Sequence, residues 1–304
     1  SAASDVYKRQ RQEGVTDRVV ENLERALSIY RTLGDDYHER LCRVSLANVH
    51  LLRGAFDEVL RACDAVLPFF RSTHARYTIA ECQYLRGVAL YAVGRLTDSL
   101  AAWDETIAIC AELGISAAVE VNRMYRGQVL RALERYDEGL RDLQAACATD
   151  DRLVKPRALI ALAELWLDRG DLDRAYRAAA EALGLAQEVG SQPYLGVALR
   201  LLGQVRAAGA GGRLPAPTEA LPDEDTCFKT SAELLAAARY ESELALTCAR
   251  YGAYLLDRRR AAEGAQLLLQ AQALARRCGM ATLLQTVLAD LQRAAGQGAR
   301  PQQG

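Results

Sequence analysis

Small residues recur inside apolar helical stretches at Ala47, Gly87, Gly127, Ala163, Gly203 and Gly252, at intervals of 40, 40, 36, 40 and 49 residues. A period of this size confines a chain to repeat architectures before any other property is weighed. Nine residues after four of these positions stands a bulky residue, Phe56, Leu96, Tyr136 or Leu172, set in Gly54-Ala55-Phe56-Asp57-Glu58, Gly94-Arg95-Leu96-Thr97-Asp98, Arg135-Tyr136-Asp137-Glu138 and Gly170-Asp171-Leu172-Asp173. Each segment reads as a helix-turn-helix corner: glycine stops one helix, the bulky residue plugs the gap, and the acid caps and electrostatically favours the next helix. Nineteen residues after the small position come Ala146, Ala182 and Ala271, where helices would cross closely, and 27 after it come Gly114, Gly190 and Gly279, which suit left-handed C-terminal caps.

Composition agrees with helix throughout. Aromatic residues make up 6% of the 304 residues and prolines number 7, while Leu, Ala, Arg and Glu dominate. The 38 basic and 39 acidic side chains nearly cancel, which argues against a nucleic-acid or anionic-membrane surface. Apolar runs fall short of the roughly 18 to 20 residues that span a bilayer, and the N-terminus lacks the zones of a signal peptide, so the chain reads as cytoplasmic. None of the 8 cysteines has zinc-ligand spacing. Cys42 and Cys82 occupy matching points of the repeat, and Cys63, Cys147 and Cys248 fall on apolar faces, as reduced structural thiols do.

With its small residue near the middle of the first helix (helix A), its Leu or aromatic residue at the turn, the acids opening the second helix (helix B), and a further small residue at Ser99, Gly139, Ala175 and Gly264, the chain resembles the tetratricopeptide repeat family. The likeness covers roughly residues 15 to 294. Two departures stand out: the unit is about 40 residues against the usual 34 or so, and glycine replaces the proline after helix B. Long units of this type resemble the helical arms of MalT-like regulators and signal-transduction ATPases. The resemblance implies an all-α, right-handed superhelical α-α solenoid of antiparallel helix pairs, since one pair cannot bury its apolar stripe alone.

It further implies that helix A lines a concave groove through positions three before, one after and four after the small residue. Those are Val44, Asn48 and Leu51; Tyr84, Val88 and Tyr91; Met124, Gln128 and Arg131; Ile160, Glu164 and Leu167; then Arg200 and Gln204. Asn48, Tyr84, Val88, Tyr91, Met124, Gln128, Arg131, Glu164, Arg200 and Gln204 are the candidate groove residues, and their mixture suits an extended peptide or partner helix. A clamp for a terminal carboxylate is argued against by Val44, where the family pattern needs Lys, and Tyr125, where it needs Arg.

The expected pairs span about 37–73, 75–114, 116–150, 155–190, 192–239 and 240–279, preceded by a half-repeat at 15–34 and followed by a capping helix at 280–294. The Gly- and Pro-rich run Gly209-Ala210-Gly211-Gly212-Arg213-Leu214-Pro215 marks an inserted loop at 209–223, and the polar residues 295–304 read as a disordered tail. Asp5-Val6-Tyr7-Lys8-Arg9-Gln10 resembles the translation of a sequencing-library adaptor where the first helix A should lie. Residues 1–14 therefore read as an artefactual or disordered leader, and the chain as a fragment.

Chemistry is sparse. The three histidines, His38, His50 and His74, have no catalytic partners by spacing, and no Gly-x-Ser-x-Gly, His-Glu-x-x-His or phosphate-loop motif occurs. Asp35-Asp36, Asp137-Glu138 and Asp223-Glu224-Asp225 sit at turns as helix caps, and Arg258-Arg259-Arg260 closes a helix. The expectation is a protein-interaction scaffold without enzymatic activity, cofactor or metal. The second reading is a ligand-sensing arm of an ATPase, cyclase, kinase or transcriptional regulator.

Overall fold

A computed structural model describes residues 2–152, 154–209 and 222–298. Among them lie fourteen helices and no strand, in two compact units, Ser1–Leu133 and Glu134–Gly304. The first unit holds α1 (Ala2–Leu33), α2 (Asp36–Leu52), α3 (Phe56–Ser72), α4 (Arg76–Ala92), α5 (Leu96–Glu112) and α6 (Ser116–Ala132). The second holds α7 (Tyr136–Cys147), α8 (Lys155–Asp168), α9 (Leu172–Glu188), α10 (Gln192–Ala208), α11 (Glu224–Ala237), α12 (Glu241–Asp257), α13 (Ala261–Arg277) and α14 (Ala281–Gly298). The boundary between units falls inside the span 116–150 that the sequence assigned to one pair.

Within each unit every helix packs on its successor in antiparallel fashion, and alternate helices also touch: α2 with α4, α8 with α10, α10 with α12, and α12 with α14. The helices that carry the small residues, α2, α4, α6, α8, α10 and α12, are the A helices, and α3, α5, α7, α9, α11 and α13 are the B helices.

The small residues do what their spacing predicts. A Cβ on Gly87 would lie 2.6 Å from the Trp103 indole, and one on Gly252 would lie 3.0 Å from the Gly264 carbonyl oxygen. Twelve residues on from Gly87, the buried Ser99 hydroxyl donates to the Gly87 carbonyl at 2.8 Å. Ala146, Ala182 and Ala271 are fully buried.

The corners repeat at half the period read from the sequence. Left-handed backbone occurs at residues 34, 54, 74, 94, 114 and 134, every 20 residues, and again at 170 and 190 and at 239, 259 and 279. Nine of the helices between these points are 17 residues long. Seven corners carry glycine, but four carry His74, Glu134, Arg239 and Arg259 at φ between 53° and 61°, where a side chain crowds the following carbonyl. Replacing all four with glycine should stabilise the chain by about 0.5–1 kcal/mol at each corner and raise its melting temperature by several degrees, read by far-UV circular dichroism. A melting point that falls would show that these side chains stabilise their corners by other means.

Several expectations are corrected. The acids after the bulky corner residue do not cap: the N-caps of α3, α5 and α7 are Ala55, Arg95 and Arg135, because the three-residue corner places the bulky residue itself at the first helical position. Asp57, Asp98 and Asp137 sit in the first turn and act on the helix dipole. Arg95 and Arg135 reach forward to Asp98 and Glu138, both at 2.7 Å or less. Side-chain caps are made instead by Asp35, Asp171 and Asp223. Arg258-Arg259-Arg260 forms a corner, not a last turn, and Arg260 binds Glu263 of α13 and Asp225 of α11. Burial pushes Asp225 up, but hydrogen bonds from Lys229, Tyr251 and Arg260 outweigh it and hold the carboxyl below its usual range.

α1 runs unbroken from Ala2 to Leu33, so residues 2–14, expected as a leader, are continuous with the half-repeat. It is fastened to α2 by Glu39, which is 7% exposed and accepts from Arg31 and Arg43 at 2.7–3.1 Å. α14 extends to Gly298, beyond the expected start of the tail, while 210–221 and 299–304 lie outside the described residues. The shortened interval between Gly127 and Ala163 comes from α7, which has 12 residues and stops before Thr149-Asp150-Asp151, where Asp151 accepts from the Val154 amide ahead of Pro156 in α8.

Candidate partner-binding surface

The position three before the small residue is buried on most of the A helices. Val44, Met124, Ile160 and Arg200 are between 0% and 9% exposed. Three residues back along a helix is a turn of only about 60° from the face packed on helix B, so this side chain points toward the neighbouring helices. Met124, proposed from sequence as a groove residue, therefore belongs to the core. Tyr84, at the same position, is half-buried for the same reason.

The positions one and four after the small residue are more open. Asn48 and Tyr91 are exposed, and Val88, Gln128, Arg131, Glu164 and Gln204 are half-buried, each on an A helix. Leu51 and Leu167 are half-buried as well.

In the first unit Tyr84 meets the Trp103 ring edge-on at 5.5 Å and Tyr125 at 5.8 Å, while Trp103 and Tyr125 stack at 5.0 Å. Trp103 is 1% exposed. The sequence reading missed Trp103 because it lies on a B helix, 16 residues after Gly87, outside the groove pattern.

In the second unit three candidates converge. Arg200 on α10 donates from Nη1 to Gln204 Oε1 at 3.1 Å and from Nη2 to Glu164 Oε1 of α8 at 3.4 Å and Glu243 Oε2 of α12 at 2.9 Å. Three successive A helices thus supply one charged cluster. Arg200 is 2% exposed, at the repeat position that elsewhere holds Val44, Tyr84, Met124, Ile160 and Ala249. Its Nε has no partner among the described residues. Glu243, nine residues before Gly252, carried no positional signal in the sequence.

Ion pairs elsewhere follow the repeat: Arg86 joins Asp64 at 2.9 Å and, 40 residues on, Arg126 joins Asp104 at 2.7 Å. Ion pairs near the surface add little to stability. Cys42, Cys63, Cys82, Cys110, Cys227 and Cys248 are buried free thiols, and Cys147 and Cys278 are half-buried. Burial pushes Cys227 and Cys248 up to about 11, which keeps them protonated and poor nucleophiles. Among the described residues no group of three His, Cys, Asp or Glu could hold a metal ion, and no helix is long and apolar enough to cross a membrane.

These antiparallel pairs, crossing at small residues and turning at left-handed corners, define a tetratricopeptide-like helical solenoid. Solved structures carry the same fold. The apo form of RapI superposes with a TM-score of 0.73 at 13% identity, over 90% of this chain and 96% of that one. A tetratricopeptide repeat protein from Parabacteroides merdae gives 0.62 at 13% identity, over 94% of this chain and 98% of that one. A signal-transduction ATPase with a tetratricopeptide repeat sensor, from Pyrococcus horikoshii, gives 0.56 at 11% identity, over 94% of this chain but 46% of that one. At these identities the likeness is one of fold. No family model and no curated protein matches the sequence.

Proposed function

We propose that this chain is a protein-interaction scaffold, without catalytic activity of its own, that takes an extended peptide or a partner helix along the inner faces of its A helices. The observation that carries the reading is the cluster of Glu164, Arg200, Gln204 and Glu243. A folding core gains little from a charge at a position served elsewhere by Val, Tyr, Met, Ile or Ala, because desolvating an arginine offsets the attraction of its carboxylates. Exposed Asn48 and Tyr91 and half-buried Gln128 and Arg131 give the first unit a similar mixture of hydrogen-bonding and aromatic groups.

The test is selection of binders from displayed random peptides, followed by the combined variant Asn48→Ala, Tyr91→Ala, Arg131→Ala. For peptides docking on the first unit, affinity should fall by about a hundredfold with helicity unchanged, as expected when interface anchors are truncated. Full retention of binding by every selected peptide would remove this face from consideration.

A second reading, a sensory arm that biases an attached domain, is favoured by the fold shared with the sensor-bearing ATPase, of which this chain matches 46%. A ligand that binds two arrangements of a solenoid unequally would shift their populations. Melting-temperature shifts across a metabolite panel separate the two readings.

A further inference from the structure

Glu81 of α4 is exposed to solvent, and among the described residues it makes no hydrogen bond or ion pair. The protein around it nevertheless pushes its carboxyl above the usual range, by desolvation alone. A side chain that solvent reaches, but whose charge its surroundings penalise, stands in a hollow of the surface with no cation to offset the penalty. The two arginines of α4 do not serve it. Arg76 and Arg86 each lie five residues away, about 140° round the helix, and are held by Glu112 and by Asp64 and Gln83. The matching positions of α2 and α6 are Leu41 and Val121, both uncharged.

Aromatic rings flank this carboxylate. Tyr77, Glu81, Tyr84, Val88 and Tyr91 follow one another at four, three, four and three residues, which places them within about 80° of arc on one face of α4. Tyr77 and Tyr84 are the neighbours of Glu81 on the helix surface, with Cβ atoms about 5–6 Å from its own. Tyr77 is 66% exposed, and Tyr84 is braced edge-on by Trp103 and Tyr125.

We propose that this stripe is the docking site for one arginine side chain of a bound peptide, whose guanidinium pairs with Glu81 and lies against the rings of Tyr77 and Tyr84, while Val88 and Tyr91 carry the flanking peptide. An anionic group would be repelled, and a neutral one would leave the cost of the desolvated carboxylate in place. A hard metal ion needs several oxygen ligands, and a single carboxylate does not supply them. A guanidinium is planar, pairs with a carboxylate through a fork of N–H donors and stacks on aromatic faces, which are the two kinds of contact offered here. The site deepens the scaffold reading and rests on it, since it names the side chain by which a peptide is held on α4.

The experiment uses the full chain with 13C-labelled glutamate, in which the side-chain carboxyl resonance of Glu81 is identified by its loss in Glu81→Gln. The probes are Nα-acetylarginine methylamide and its neutral isostere Nα-acetylcitrulline methylamide. The arginine probe should move the Glu81 resonance saturably, with citrulline weaker by about tenfold or more, the worth of one charge-assisted hydrogen bond. Glu188 is the internal reference: it is exposed at the end of α9 with Gly184 and Leu185 as its neighbours one turn back, and should bind the probe more weakly by about the same factor. An arginine probe that leaves Glu81 unmoved, that citrulline equals, or that Glu188 binds as well overturns the site. Tyr77→Leu, which keeps an apolar contact but removes the ring, should weaken the arginine probe by about two- to fivefold; an unchanged affinity overturns the aromatic part of the site. The outcomes separate from those of the scaffold. Peptides selected by display, with a Glu81 that ignores arginine, leave the scaffold standing and overturn this anchor, whereas an arginine-responsive Glu81 with no selectable peptide removes the scaffold and keeps the site.

Discussion

Trp103→Ala should destabilise the first unit by about 4 kcal/mol, since a fully buried indole is removed and its neighbours cannot close the space. Three residues of two neighbouring helices meet at this ring: Gly87 of α4 lies under it, Tyr84 of α4 touches its edge, and Tyr125 of α6 stacks on its face. Gly87→Leu attacks the same contact from the other side. Its first side-chain carbon alone would sit 2.6 Å from the indole, and the ring cannot retreat from a packed core, so a loss of about 3 kcal/mol or more is expected. The two changes should not add. Removing the indole gives the leucine room, and the double variant should be less destabilised than the sum by about 1–3 kcal/mol, the range seen for residues in direct contact. Urea unfolding with hydrogen exchange resolved by helix measures all three, because repeat arrays need not unfold as one unit. Additive losses would mean that Gly87 is small for some reason other than Trp103.

The second large effect concerns the charged cluster of the other unit. Arg200→Met alone leaves Glu164 and Glu243 facing each other in a mostly dry setting without the cation between them, and should cost about 3–5 kcal/mol. The triple variant Glu164→Leu, Arg200→Met, Glu243→Leu removes the charges together with the need to pair them. It should fold with stability equal to the parent or greater by about 1–4 kcal/mol, as buried ion triads replaced by apolar side chains can do. A triple variant as unstable as the single one would show that the cluster is a structural clasp across α8, α10 and α12, and would withdraw the observation on which the functional reading rests.

The repeat was legible because close helix crossing imposes a small residue at a fixed spacing, and Gly87, Gly203 and Gly252 each answer to a particular neighbour: Trp103, Phe228 and Leu268. The half-period was not, because a left-handed corner tolerates His74, Glu134, Arg239 or Arg259 at a modest cost, so one residue type does not mark every corner. The candidate surface was half legible. The family pattern named Glu164, Arg200 and Gln204 as separate groove positions, and it held no sign that Arg200 would join the other two by hydrogen bonds. The same pattern put Met124 on the surface, but it counts a position that here lies buried on the inter-helix seam. Glu243 and Trp103 could not be found by that pattern at all, since their roles depend on which helices become neighbours and not on distance from the small residue.

The even cadence of the first unit bears on how such a chain can change length. From residue 34 to residue 134 every corner falls on the same beat, so a 40-residue cassette such as 75–114 begins and ends on equivalent backbone. Unequal crossing-over between two such cassettes would add or delete a helix pair with both seams already shaped to fit. The stretch around α7 and the 49-residue interval from Gly190 to Arg239 break that beat. A gene encoding this array could therefore grow or shrink by recombination within each evenly spaced run, 34–134 or 239–279, but not across the breaks between them.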